Sequence, residues 1–240
     1  MFGARIGVRK RAKDEAEKPF WISFADLMSA LMVLFLVVMS VALASITKKL
    51  SAGEERQAQY NRSIQIVLNA FQTAADSFPG LKVDTARKVI DFGYKAQFAF
   101  SSSQLSSDQQ QSLRAFVPKI LEIANSNAGR DVLKRMVVEG FTDRQGTYLS
   151  NLNLSLERSQ RVLCALFARP LSGESPLTSG QLQDIRELFL VGGYSFNSAK
   201  STAAESRRVE MRIEFRGVAD SSRTSVQSSG DYGNCALGGS

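Results

Sequence analysis

The sequence contains no histidine, and this absence removes several classes of chemistry. Catalytic Ser–His and Cys–His pairs, and zinc sites built on histidine, all require an imidazole. The only two cysteines, Cys164 and Cys235, are too far apart in sequence for a CxxC pair, and a four-cysteine zinc site is excluded as well. With no metal motif and no nucleophile–base pair, we expect a protein that is not an enzyme and holds no cofactor.

The two cysteines leave two arrangements open. In an oxidising compartment Cys164 and Cys235 could form a disulfide bond with each other. Alternatively, Cys164 is a buried thiol on a helix and Cys235 is a free thiol in a loose tail. Sequence separation does not decide between them, because a disulfide depends on the distance between the two residues in space.

The chain is basic, with a formal net charge of +7. A positive balance suggests a nucleic acid, an anionic membrane surface or an acidic polymer as partner. The alternative is that the charge serves solubility alone.

Residues 20–46 form a long apolar run in which Asp26 is the only charged residue. About 20 apolar residues in a helix cross a bilayer, so this run predicts a transmembrane helix. Phe20 and Trp21 lie where interfacial aromatic residues are expected. A cleaved signal peptide is the alternative, since residues 42–44 (Ala-Leu-Ala) resemble a cleavage site. The run is longer than the apolar part of a signal peptide, however, and contains an acid.

The basic residues that flank the run predict its orientation. Six Lys and Arg residues lie within residues 1–19, whereas only Lys48 and Lys49 follow the run before Glu54 and Glu55. The flank richer in Lys and Arg stays in the cytoplasm. We therefore expect a cytoplasmic basic tail, one span of the bacterial inner membrane, and the bulk of the chain in the periplasm.

Asp26 is the residue of the span that requires an explanation. An ionised carboxylate inside a bilayer costs at least about 2.5–3.5 kcal/mol, and protonation removes that cost. A carboxyl that is neutral against lipid and charged against water is the minimal part of a proton carrier. Ala30, Val33 and Val37 share its helix face, so further polar groups of a relay must come from another protein. The alternative is a structural acid paired with a partner helix.

A family resemblance bears on this choice. Residues 21–32 read WISFADLMSALM and are followed by Phe35-Leu36-Val37. This run resembles the signature helix of MotB-type stator subunits, W-x-V-x-Y/F-A-D-F/L-M-T/S-A-x-M. The resemblance implies that Asp26 is the proton site and that the proton is the transported ion. It also implies a MotA-type multi-span subunit that forms a ring around a homodimer of this chain, and no direct contact with nucleic acid.

Residues 47–80 predict a periplasmic linker helix, from Gly53 to Phe78, which Pro79-Gly80 ends. Its apolar residues recur at helical spacing and could pair with those of a second copy. In the stators that the chain resembles, this region keeps the channel shut before assembly, which implies a plug role. A plain spacer helix is the alternative. The apolar positions are Ile64, Val67, Leu68 and Phe71.

Residues 81–216 alternate strand and helix patterns. Together with the preceding helices they predict an α+β chain whose outer domain is a two-layer sandwich with helices on one face of a mixed sheet. In the last strand we expect Val209, Met211, Ile213 and Phe215 to point inward and the charged residues between them to point outward. The predicted strands are residues 88–92, the region 98–100, and residues 136–140, 188–191 and 208–215; the predicted helices are 107–125, capped by Ser106 or Ser107, and 152–169.

Four polar residues follow the 136–140 strand. Thr142 and Asp143 lie in the loop after it, and Asn151 and Arg158 lie in the first turns of the next helix. An Asp and an Arg together can hold a zwitterion, because the Asp accepts an ammonium and the Arg binds a carboxylate. The residues alone leave open a salt bridge that only ties the loop to the helix.

This stretch resembles the OmpA-type peptidoglycan-binding motif, E-G-H-T-D-x-x-G…N-x-x-L-S-x-x-R-A, and residues 205–210 (ESRRVE) resemble the closing N-R-R-V-E of that family. The resemblance implies that Asp143 and Arg158 bind the diaminopimelate of the cell-wall stem peptide, with Thr142 and Asn151 beside them. Phe141 replaces the usual His and Ser206 the usual Asn, which leaves the affinity open.

The last segment, residues 217–240, is rich in Ser and Gly and predicts a flexible tail. The compact length and the residues before the span resemble the short MotB-like subunits of Zorya anti-phage systems. That resemblance implies a motor that senses disturbance of the envelope. A flagellar-type stator subunit and a static tether between inner membrane and wall are the alternatives.

Overall fold

A computed structural model describes residues 14–170, 174–218, 220 and 232–235, with side chains from Trp21 onward. The predicted tail, residues 217–240, lies mostly outside this part of the chain. The structure divides into two compact units, residues 1–56 and 57–240, and helix α1 (Asp14–Asp76) contributes to both.

The first unit contains the part of α1 that carries the apolar run. The sequence predicted separate span and linker helices, but the structure has one continuous helix. Within the run, Ser29 and Ser40 each donate a hydrogen bond to the carbonyl four residues earlier, at 2.7 Å, so these hydroxyls are satisfied without a partner. Every described side chain from 21 to 50 is exposed. By length and composition, this is the one helix among the described residues that could cross a membrane.

The second unit begins with the C-terminal part of α1. Its apolar stripe is buried against the core of its own domain, with Phe71 fully buried. The predicted spacing is therefore correct, but the stripe is not available to pair with a second copy. The buried residues are Ile64, Val67, Leu68, Phe71 and Ala75.

Five strands form one mixed sheet in the order β1-β2-β5-β3-β4. All neighbours are antiparallel except β3 and β4, which are parallel and are connected through two helices. This confirms the predicted α+β class and mixed sheet. The strands are β1 Lys82–Asp84, β2 Val89–Asp91, β3 Leu133–Gly140, β4 Phe189–Gly193 and β5 Val209–Phe215.

Helices cover one face of this sheet. The predicted helix 107–125 is confirmed as α2, and Ser106 caps it by accepting from the Gln109 N–H at 3.2 Å. The core between the layers includes Phe116, Met136 and Met211, all fully buried. The remaining helices are α3 Asn127–Val132, α4 Tyr148–Phe167, α5 Ser179–Leu188, α6 Ala203–Ser206 and the 3₁₀ helix Gly93–Ala96.

The predicted strand at 98–100 is wrong. Gln97 forms an isolated bridge to Arg208, but the residues after it form a turn rather than a strand. Arginine side chains bond the carbonyls here: Arg207 Nε donates to Phe98 O, and Arg158 donates to Ala99 O. These side chains donate the hydrogen bonds that the backbone of a neighbouring strand would otherwise donate to the two carbonyls.

The outer face of β5 also differs from the prediction. Val209, Met211 and Ile213 are buried as expected, but on the opposite face Arg208 is only 3% exposed and Glu210 is fully buried. Ion pairs between the charged side chains account for this burial: Glu210 accepts from Arg208 Nε at 2.7 Å. The face that was expected to be solvated therefore consists of buried charged side chains that form ion pairs with one another.

Candidate functional site

Asp26 lies in the first unit on an exposed, otherwise apolar face of α1. No described residue pairs with its carboxylate, so the helix offers no internal partner for it. The predicted sharing of a face with Ala30, Val33 and Val37 is seen in the structure. A shallow groove along the helix is lined by Asp26, Ser29, Ala30, Val33, Leu34 and Val37.

In the second unit, the predicted loop connects the end of β3 to the start of α4. The strand and the helix approach so closely that a Cβ on Gly140 would lie 1.9 Å from the carbonyl oxygen of Ser155. Only glycine permits this contact. It places the loop after β3 directly beside the first turns of α4.

Two of the four predicted residues shape this loop. Asp143 Oδ1 accepts the Gln145 N–H at 3.1 Å, which forms a local turn. Asn151 Nδ2 donates to Gln145 O at 2.8 Å and to Thr147 O at 3.1 Å. The amide of Asn151 therefore braces the loop against the helix.

A third, Arg158, is fully buried behind the loop. It donates to three backbone carbonyls: Nε to Ser102 O at 2.9 Å, Nη1 to Phe141 O at 2.8 Å and Nη2 to Ala99 O at 3.2 Å. Burial lowers the pKa of its guanidinium to about 10, although the charge of nearby Asp143 opposes this shift. Arg158 thus fastens the turn at 99–102 to the end of β3.

Arg207 is the partner of Asp143, and sequence reasoning gave it no role. Its Nη1 donates to Asp143 Oδ2 at 2.9 Å, and its side chain is 19% exposed. The sequence signal was present, because Arg207 lies in the ESRRVE run that closes the motif. The expected Asp143–Arg158 clamp therefore contains a second arginine, which is the more accessible of the two.

The four predicted residues line one cavity of about 520 Å³. In it, Thr142 is 1% exposed and its hydroxyl has no hydrogen-bond partner within the described chain. A buried unsatisfied hydroxyl is costly, so a ligand that reaches it gains a hydrogen bond. The charged residues on the cavity wall are Asp143, Glu157, Arg158 and Arg207. Among the residues that the structure describes, no group of acids and cysteines could hold a metal ion.

The two departures from the motif lie outside this cavity. The Phe141 ring is buried between the Tyr194 ring, 5.5 Å away, and the Arg208 guanidinium, 4.3 Å away. Ser206 donates to Thr202 O at 2.8 Å and accepts from the Lys200 N–H at 2.9 Å. Both residues support the scaffold behind the cavity.

The cysteines form a disulfide between Cys164 on α4 and Cys235. Tyr232 packs nearby against Phe167, with ring centroids 4.9 Å apart. Of the two arrangements that the sequence left open, the structure therefore has the paired one.

Comparison with known proteins extends these observations. Residues 8–54 match the family described as the membrane protein MotB of the proton-channel complex MotA/MotB. The outer domain is similar to the periplasmic domain of MotB, at 14% identity and TM-score 0.39, over 55% of this chain and 65% of that chain. It is also similar to the cell wall anchor of the T6SS from Pseudomonas aeruginosa, at 20% identity and TM-score 0.41, over 62% of this chain and 97% of that chain.

The apolar run of α1, with its single acid, and the α+β domain with its motif define a MotB-like subunit with an OmpA-like domain. A curated relative, the Zorya protein ZorB of Escherichia coli O139:H28, is 42% identical over 221 residues, which are 92% of this chain and 90% of the relative. The chain belongs to the ZorB family of Zorya proteins.

Proposed function

We propose that the chain is the proton-carrying, wall-anchored subunit of an inner-membrane Zorya motor. The observation that carries this proposal is Asp26, the one charged residue in 20–46, on an apolar helix face where no described residue pairs with it. Its protonated form suits the lipid and its ionised form suits water. The residue therefore alternates between the two as the proton moves, and no other cofactor is needed.

The partner of this helix is a MotA-like, ZorA-type ring of multi-span subunits that encloses a homodimer of the chain. The groove beside Asp26 contains one hydroxyl, that of Ser29, and Ser29 already donates to Ala25 O. The remaining polar groups of a proton path must come from helices of the ring. The role in the assembly is transport and anchoring rather than catalysis of a chemical reaction.

The N-terminus lies in the cytoplasm and the outer domain in the periplasm. Two independent features support this orientation. The basic residues are concentrated before the span, as expected of a cytoplasmic flank. The outer domain contains the Cys164–Cys235 disulfide, which forms and persists in an oxidising compartment.

The cavity around Thr142, Asp143, Asn151 and Arg158 binds peptidoglycan through the diaminopimelate of the stem peptide. Two acids and two arginines on its wall suit a ligand with charges of both signs. The buried, unpartnered hydroxyl of Thr142 supplies a further hydrogen bond. In this role Asp143 holds Arg207 in place, and Arg158 fixes the turn that borders the cavity.

Proton flux tests the first half of the proposal. The full chain is reconstituted with its MotA-like partner in vesicles, as the parent, as Asp26→Asn and as Asp76→Asn. The matched control Asp76 lies at the end of the same helix, outside the span. We expect flux to be lost only in Asp26→Asn. Equal flux in all three would leave a static tether between membrane and wall as the better explanation.

Binding to purified sacculi tests the second half. The full chain in detergent is compared with Asp143→Ala, Arg158→Ala and Thr142→Val. The control is Ser112→Ala, which removes a half-buried hydroxyl that donates to Asp108 O within α2. We expect the first three to bind at least about tenfold more weakly, a change of about 1.4 kcal/mol. Asp143→Ala removes the partner of Arg207, Arg158→Ala releases the turn that borders the cavity, and Thr142→Val removes a hydrogen bond to the ligand. Parental binding by both charge variants would reject the assignment of this cavity.

A further inference from the structure

Glu157 differs from Asp143, the other acid of the cavity wall, in forming no salt bridge with any described residue. Its Oε1 accepts from Asn153 Nδ2 at 2.7 Å, and its Oε2 is 3.5 Å from the Ser103 hydroxyl. Both donors are neutral. Among the described residues, no Lys or Arg nitrogen lies within salt-bridge distance of this carboxylate, which is therefore an anion open to a ligand.

Asp143 is in the opposite situation. One of its oxygens accepts from the Gln145 N–H and the other from Arg207 Nη1 at 2.9 Å. An ammonium bound there would sit beside the Arg207 guanidinium, and two like charges at such a distance repel each other.

Arg207, which lines the same cavity, has donors to spare. Its Nε donates to Phe98 O and its Nη1 to Asp143, while no described residue accepts from Nη2. A guanidinium with an open edge binds a carboxylate well. The two ends of a zwitterion thus have separate places: an arginine edge for its carboxylate and an unpaired acid for its ammonium.

We propose that Glu157 binds the ammonium of the wall peptide's diamino acid while Arg207 binds its carboxylate, so that Glu157 sets the selectivity of the cavity for a free amine. The inference rests on the proposed wall-binding function and refines it. It moves the ammonium contact from Asp143, where the family motif places it, to a position that the motif leaves variable. The selected ligand is an uncrosslinked stem peptide, because a crosslink through that nitrogen removes its charge.

Two soluble probes test this directly: a stem tripeptide that ends in diaminopimelate, and the same peptide acetylated on its free amine. Each is titrated against the full chain in detergent, as the parent, as Glu157→Gln and as Asp143→Asn. Gln keeps the size of Glu and can still accept from Asn153. The control is Glu122→Gln, an exposed acid on α2 that pairs with Lys119.

We expect the parent and Glu122→Gln to prefer the free amine by roughly tenfold or more, the scale of a charge-assisted hydrogen bond. Glu157→Gln should lose that preference and bind the acetylated probe like the parent. Asp143→Asn should bind both probes more weakly but keep the preference. A preference lost in Asp143→Asn and kept in Glu157→Gln would overturn the inference and leave wall binding intact. Failure of the parent to bind either probe or sacculi would overturn both.

Discussion

Glu139 on β3 and Glu210 on β5 are register partners across the sheet, and both carboxylates are fully buried. Like charges in this position repel each other. Each is neutralised separately: Glu139 accepts two hydrogen bonds from Arg212, at 2.6 and 2.8 Å, and Glu210 accepts from Arg208 and from Arg87. The arginines therefore permit two acids to occupy the centre of the sheet's open face.

Removing Arg212 should destabilise the outer domain. Arg212→Met leaves the Glu139 carboxylate buried without its counter-ion, which costs about 3 kcal/mol, the lower end for a buried pair because Arg212 is 36% exposed. Chemical denaturation of the full chain in detergent measures the change. Arg135→Met is the control, since its partner Glu214 is 35% exposed and the change should stay below about 1 kcal/mol. Equal losses in the two variants would contradict this account.

The C-terminal part of α1 should contribute to domain stability through its buried stripe. Phe71→Ala removes a fully buried ring and should destabilise the domain by about 3–5 kcal/mol. Ile66 on the same helix is 59% exposed, so Ile66→Ala should change stability by less than about 0.5 kcal/mol. Thermal unfolding measures both variants. A neutral Phe71→Ala would mean that this part of the helix is not held by the core.

The disulfide should be closed in cells. Thiol-reactive mass tags added to intact cells or fresh membranes should modify neither Cys164 nor Cys235 until a reductant is added. Changing both cysteines to Ser should lower stability by about 2–4 kcal/mol, since a crosslink restricts the unfolded chain. Labelling without reductant would contradict both the pairing and the periplasmic position that it supports.

The outer domain should lose stability in acid through Asp91. Burial raises the pKa of this carboxyl, but hydrogen bonds from Lys200 and the Gly93 N–H, with the charges of Lys200 and Arg208, outweigh burial and lower it. Because the pKa of Asp91 is lower in the folded state, its ionised carboxylate contributes to the free energy of unfolding above the unfolded-state pKa of about 3.9. That contribution is lost as the pH falls through the folded-state pKa.

Melting temperatures measured from pH 6 to pH 2 test this. In Asp91→Asn the melting temperature should decrease less steeply below about pH 4 than in the parent. Asp131→Asn, at an exposed position on α3, should show the same decrease as the parent. If the melting temperatures of Asp91→Asn and the parent decreased equally in acid, another titratable group would control the loss of stability.

Local periodicity predicted most of the fold, because burial follows it closely in α2, in β3 and on the inner face of β5. Two of the failures have one cause in common, which is that arginine side chains bond groups that local periodicity does not place beside them. Arg158 and Arg207 take the carbonyls of 98–102 and turn an expected strand into a turn. Arg208 and Arg212 bury acids that a periodic pattern places in solvent.

The candidate site was predicted in part for the same reason. Thr142, Asp143, Asn151 and Arg158 lie within 17 residues of one another, and the spacing of one strand–loop–helix unit brings them together. Arg207 comes from a distant segment, and only the sheet order, with β5 beside β3, places it against Asp143. Glu157 was visible in the sequence, but its lack of a cationic partner emerges only in three dimensions.

The three carbonyls that hold Arg158 belong to residues 56, 17 and 59 positions away along the chain. Its guanidinium is therefore in place only when the turn at 99–102, the end of β3 and α4 have all assembled. Under the proposed function, a chain that is still folding after it crosses the membrane has no formed cavity to bind the wall, so wall attachment comes last. Loosening of that turn would then release the chain from the wall while most of the sheet remained intact.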